Sequence, residues 1–172
     1  MPVTVPLSPR LHRQAERIAR ERGPSDPQVY GKAVKEPARN PRRDHIIGVL
    51  GELGFASYYD LEINASSNQP DSGYDFLVEI DGEQIKVDVK TTQYENGYLP
   101  VESDSVQADL YISAHVPNAE SFKIRLLGGA PRDIILDSPK QSAEVGDGEY
   151  YRVRQPDLSP LPAKSSVEPF TE

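Results

Sequence analysis

Three side chains in one short stretch have the types and spacing to work on a phosphate. Asp75 and Asp88 flank the dipeptide Asp81-Gly82, and Lys90 lies two residues beyond Asp88. Asp-Gly between two alternating apolar segments is a strong signal for a two-residue hairpin. The expected strands cover 74–80 and 83–92. Their register pairs Ile80 with Glu83, Val78 with Ile85 and Phe76 with Val87, so the apolar pairs share one face. Continued one step, it sets Asp75 opposite Asp88, with β-carbons about 4.5–5.5 Å apart. Lys90 leaves the strand on the same face as Asp88. Two opposed acids repel, and a hard divalent cation offsets that repulsion. Mg²⁺ takes oxygen ligands and is usually held by one or two carboxylates with several waters. A lysine beside it can orient a water or stabilise developing negative charge. The plainer alternative is a polar sheet face with a salt bridge through Lys86 or Lys90.

The surrounding elements must position this pair. Ser8-Pro9 suits the start of a first helix, with Leu11, Ala15, Ile18 and Ala19 at helical spacing and Gly23-Pro24 as its stop. Residues 24–43 carry Pro24, Pro27, Pro37 and Pro41 and read as an extended loop. Asp44 suits the cap of a second helix ending near Tyr58-Tyr59, with Ile46, Val49, Leu50, Leu53 and Ala56 as its apolar stripe. Glu52 sits off that stripe, and Gly48 and Gly51 allow a close approach to another backbone. Residues 64–73 read as a loop. Further strands are expected at 108–116, 121–127 and 149–154, and a short helix at 131–136. Residues 156–172, with four prolines, read as a loosely held tail.

These residues resemble the signature of the PD-(D/E)xK nuclease superfamily, carried by Asp75 and Asp88-Val89-Lys90 after a helix containing Gly51-Glu52-Leu53-Gly54. The resemblance spans roughly 44–161. Ala108–Ser113, Gly128–Ile134 and Tyr151–Leu158 are similar to later segments of prokaryotic and phage members. The residue before Asp75 is Tyr74 rather than Pro, the literal Pro70-Asp71 lies in the loop, and the second acid is Asp rather than Glu. The resemblance implies an α/β fold with a restriction-endonuclease-like mixed β-sheet core flanked by helices. It also implies a metal-dependent DNA nuclease, an endonuclease by preference. Glu52, Asp75 and Asp88 would hold Mg²⁺, or Mn²⁺ in its place, with the Val89 carbonyl as an extra ligand. Lys90 would complete the catalytic set. Gln93 and, less so, Thr91 would contact the metal water or the nucleic-acid backbone. Relatives often act as dimers, so a homodimer is allowed, although no dimer signature is visible.

Composition bounds the reading. Leu, Ile, Val and Phe make up 41 of 172 residues, enough for a sizeable core. No apolar run reaches the roughly 18 residues of a membrane span, and no secretory signal is visible. Cysteine is absent, which removes disulfides and thiolate chemistry and fits a cytoplasmic protein. The net charge of −8 is unevenly spread: 1–43 hold ten basic and four acidic residues, and 44–172 hold nine and 23. This suggests a basic helix and arm over 1–43, a core over 44–155 and a Pro-rich tail over 156–172. Arg39, Arg42 and Arg43, next to the helix bearing Glu52, become candidate phosphate contacts. Tyr30, Tyr94 and Tyr98 could stack on bases, although such tyrosines more often edge a core. His12, His45 and His115 show no ligand spacing. Two other classes compete: a non-cleaving DNA-binding or regulatory module on the same fold, and a structural or interaction protein built on the acidic body.

Overall fold

The hairpin forms around Asp81 and Gly82, both at positive φ (52° and 85°), as a turn matching the strand twist requires. Its register is the expected one, from Ile80 opposite Glu83 to Phe76 opposite Val87. The computed structural model describes residues 2–22, 41–63, 73–142 and 148–171. The expected stop at Gly23-Pro24, the loop over 24–40, Tyr30, Arg39 and residues 64–72 lie outside the described residues, as does the side chain of Arg42.

In chain order the elements are β1 (Val3–Pro6), α1 (Pro9–Glu21), α2 (Pro41–Tyr58), β2 (Phe76–Ile80), β3 (Glu83–Thr92), β4 (Leu99–Glu102) and β5 (Leu110–His115). There follow β6 (Lys123–Pro131), the short α3 (Arg132–Leu136), β7 (Lys140–Ser142), β8 (Glu149–Val153) and β9 (Val167–Pro169). The architecture is mixed α/β. Six strands form one sheet in the order β1-β6-β5-β3-β2-β9, in which only β3 and β5 run parallel. A smaller antiparallel sheet has the order β4-β8-β7.

Helix α1 starts as expected, with Ser8 Oγ accepting the Leu11 N–H at 3.2 Å. Helix α2 begins at Pro41 rather than Asp44, because proline suits the first helical position. Asp44 stays in the first turn, where a negative charge suits the helix dipole. The apolar surface of α2 is wider than one stripe: Ile47, Val49, Leu50, Leu53, Phe55 and Ala56 are all buried. They join Val87, Val89, Ile112, Ala114, Ile124 and Leu126 in the main core. A second core gathers Tyr111 and Ala130 with Leu99, Val101, Ile135, Tyr151 and Val153 of α3 and the small sheet.

Several expectations change. Strand β6 runs on through Gly128-Gly129 instead of ending at Leu127. A register shift opposite Ser113/Ala114 and a φ of 143° at Gly128 let it bend and continue beside Ser159. The tail does not hang loosely, since β9 pairs with β2 as an edge strand, where proline is tolerated. At the other end β1 pairs with β6, and α1 packs on α2.

Gly51 makes a close approach, but against the Thr91 side chain of β3 rather than against another backbone. Gly54 does the same on β6, where an added Cβ would stand 2.8 Å from Ile124 Cβ, a fully buried residue. Gly54→Ala should therefore lower stability by about 0.5–2 kcal/mol. An overpacking cost of roughly 1–3 kcal/mol outweighs the 0.5–1 kcal/mol gained in helix propensity. Urea denaturation checks this, and a stabilised variant would contradict it.

Candidate functional site

Strand β2 begins at Phe76 while β3 continues to Thr92, so beyond Val87 one edge of β3 has no ladder neighbour among the described residues. Asp75 occupies the gap. Its N–H donates to the Val87 carbonyl at 2.8 Å, and its Oδ2 accepts the Val89 N–H at 2.8 Å. The carboxylate stands in for the next residue of the missing strand. A strand residue's N–H and C=O leave on the same edge, so the Val89 carbonyl faces the same opening. Asp75 opposite Asp88 is thus not a ladder pair, and the pairing expected from strict register ends one residue short. Asp88 nevertheless acts on Asp75 across the gap, and its effect is to raise the Asp75 pKa.

Burial, then the negative charges of Glu52 and Asp88, push the Asp75 carboxyl well above the usual carboxylate range. The Val89 N–H acts in the opposite direction and does not prevail. Asp88 has a second partner, Lys90, with Nζ 2.8 Å from Oδ2. Burial acts to lower the Lys90 pKa, but the Asp88 charge and hydrogen bond, and then Asp75, raise it by more. The amine is therefore held as an ammonium. In register, Asp88 lies beside Tyr111 and Lys90 beside Ser113, both buried on β5.

Glu52 joins this group from α2. Its Oε2 lies 2.9 Å from Arg22 Nη1, with the two side chains only 9% and 13% exposed. Burial raises the Glu52 pKa, Arg22 lowers it and Asp88 raises it again, leaving it above its ordinary value. Sequence reasoning missed Arg22. It caps α1, thirty residues before Glu52, and no motif spacing links the two. The only available signal was indirect: a carboxylate on a buried helix face needs a cation. Among the described residues, buried Arg22 Nε and Nη2 and Thr91 Oγ1 have no hydrogen-bond partner.

The structure therefore brings Glu52, Asp75, Asp88 and Lys90 into one electrostatic cluster. The other candidates stand elsewhere. Gln93 Nε2 donates to Asp44 Oδ1 at 3.5 Å and ties the loop after β3 to the start of α2. Arg43 Nη2 donates to both carboxylate oxygens of Glu120, at 3.0 and 2.8 Å, on the surface. His12 is buried, with Nε2 2.9 Å from the Ala119 carbonyl. Among the described residues, no three Asp, Glu or His side chains stand together as a ready ligand set for a metal. The donor chemistry at the gap fits a hard cation held by two carboxylates, since Asp75 and Asp88 meet at an opening that also carries a main-chain carbonyl. Comparison with protein-family models, curated proteins and solved structures found no match.

Two outcomes follow from these electrostatics. The folded-state pKa of Asp75 lies above its unfolded value of 3.8, so between the two the folded protein keeps a proton that the unfolded chain has released. In EDTA, stability should fall as the pH rises from about 4 through the folded pKa. Asp75→Asn should flatten that fall. Melting temperatures across pH 4–8 check it, and equal slopes in the two proteins would refute it.

Arg22→Met leaves a buried Glu52 without its cation and should cost about 3–5 kcal/mol. Adding Glu52→Gln should recover much of that loss, because the two residues are coupled. A double variant no more stable than Arg22→Met would show that the pair is not what holds α1 to the site.

Proposed function

We propose that the chain is a metal-dependent nuclease that hydrolyses phosphodiester bonds, with DNA as substrate and internal cleavage as its mode. One observation carries this reading: at the open edge of β3, the Asp75 and Asp88 carboxyls meet beside the Lys90 ammonium. The choice of DNA follows from the resemblance to PD-(D/E)xK nucleases. A hard divalent cation such as Mg²⁺, with Mn²⁺ as substitute, supplies when bound a water nucleophile of lowered pKa and positive charge for the phosphate oxygens.

The residues then divide the work. Asp75 and Asp88 would hold the cation, and the Val89 carbonyl offers a third oxygen on the same edge. The cation's charge would favour the ionised form of Asp75, against the burial and neighbouring negative charges that raise its pKa. Lys90, already an ammonium, is not the base. It faces the attacked phosphate and stabilises the negative charge that builds there. Glu52, balanced by Arg22, adds negative potential from α2. Packing on α2 through Gly51 and Thr91 fixes the strand that carries Asp88 and Lys90.

The test uses the full chain with supercoiled plasmid in Mg²⁺, Mn²⁺ or EDTA. Cleavage should need the metal and disappear in Asp88→Asn. Lys90→Ala should lose roughly 10²–10³-fold in rate, the usual cost of removing one donor to a developing oxyanion. A folded Asp88→Asn that cleaves fully, or cleavage that survives EDTA, would overturn the assignment. Mg²⁺ should also raise the melting temperature, corresponding to about 2.7 kcal/mol at a hundredfold excess over its Kd, and Asp88→Asn should lose most of that rise.

A further inference from the structure

The loop that leaves β3 after Lys90 holds an aromatic side chain out in water on a rigid support. Tyr94 is 68% exposed, the largest exposure among the exposed large hydrophobic residues described. It opens a turn closed by the Gly97 N–H donating to the Tyr94 carbonyl at 3.0 Å. The turn is fixed on two sides. The Tyr94 N–H donates to Thr92 Oγ1 at 3.1 Å, and Gln155 Nε2 donates to the carbonyls of Glu95 (2.7 Å) and Gly97 (3.0 Å). An exposed aromatic on a pinned turn loses little entropy when it is covered.

Immediately after the turn, Tyr98 makes a second flat surface. The exposed Arg152 guanidinium lies 3.9 Å from its ring centroid, and Tyr150 lies nearly parallel to it at 6.4 Å. The Tyr98–Arg152 surface belongs to the side of the main sheet that carries Asp88 and Lys90. The parallel register puts Asp88 beside Tyr111, and Tyr111 packs with the small sheet that bears Arg152. Tyr94 follows Lys90 by four residues, at most about 13 Å along an extended chain.

We infer that Tyr94, with the Tyr98–Arg152 pair behind it, is a stacking platform for unpaired bases, so the substrate carries a single-stranded segment next to the cleaved bond. This rests on the nuclease reading and adds the class of DNA structure to it. In a duplex both faces of a base are covered by neighbouring bases, so a ring can stack only on a base that has left the stack. Stacking also suits this chain's charge. With a net charge of −8 the surface cannot draw DNA in mainly through phosphate contacts, and stacking needs no net charge. Arg152, exposed over the Tyr98 ring, supplies the positive charge of this surface.

The experiment measures binding by fluorescence anisotropy of labelled oligo-dT, a forked duplex and a blunt duplex to the full chain. EDTA is present throughout, so neither metal nor cleavage enters. Wild type should bind oligo-dT and the fork more tightly than the blunt duplex. Tyr94→Ala, with an unchanged melting temperature, should weaken the first two by at least fivefold and leave the blunt duplex unaffected. Tyr94→Phe should restore binding, because the ring and not the hydroxyl stacks. Arg152→Gln should weaken the fork and reduce its salt dependence. Equal binding of all three DNAs, no binding of oligo-dT, or equal loss in Tyr94→Ala and Tyr94→Phe would each overturn the platform. Platform and nuclease can fail separately. Tyr94-dependent binding without metal-dependent cleavage would sink only the nuclease reading. Metal-dependent cleavage with Tyr94-independent binding would sink only the platform.

Discussion

One strand outlasting its neighbour is the constraint on which the site depends. An unpaired N–H in a half-buried sheet costs about as much as a lost hydrogen bond. Val89 would carry that cost beyond the start of β2, and the Asp75 side chain removes it. A carboxylate there does more than an amide or hydroxyl could. It fills the ladder position with one oxygen and leaves acidic oxygen chemistry at an opening beside Asp88. The same interaction that completes the sheet creates the acidic pair. The turn at Asp81-Gly82 supports both, because a one-residue slip would turn the hairpin's buried face outward and carry Asp88 and Lys90 to the other side.

Three acids in such close company need compensation, and the chain supplies it from two directions. Lys90, on the same strand, pairs with Asp88, and Arg22, from α1, pairs with Glu52. Burial and the charges of Glu52 and Asp88 raise the Asp75 pKa. The pairing with Arg22 also binds the N-terminal helix to the chemistry. The basic segment is therefore not a separate arm in its described part. Its strand pairs with β6, and Arg22 and Arg43 each direct their charge to a carboxylate of the same chain.

What could be read from the sequence was local. The hairpin and its register follow from a two-residue turn and strict alternation, and α1 from a serine cap and proline. The first turn of α2 was missed by three residues because Pro41 reads as a loop breaker as easily as a helix start. Strands β1 and β9 are three or four residues long and end in proline, so only pairing with a distant strand gives them structure. The continuation of β6 through two glycines depends on Ser159, thirty residues away, lying against Gly129. Glu52 was visible as a polar residue on an apolar helix, whereas Arg22 was not visible at all, since its role exists only once α1 packs on α2.

The distribution of charge also shapes how such a molecule could meet DNA. Surface arginines paired with surface acids, as Arg43 is with Glu120, present little net field to a polyanion. Long-range attraction is weak for a chain of net −8, so affinity has to come from short-range contacts near the site. Flat aromatic surfaces and an exposed guanidinium are contacts of that kind: the loop after β3 carries Tyr94 and Tyr98, and β8 sets Arg152 over the Tyr98 ring. On the nuclease reading, the acidic body would have a use of its own: it would disfavour duplex DNA lying broadly across the protein and leave the edge of β3 beside Lys90 for the phosphate. Selectivity of this sort arises from repulsion elsewhere as much as from attraction at the site.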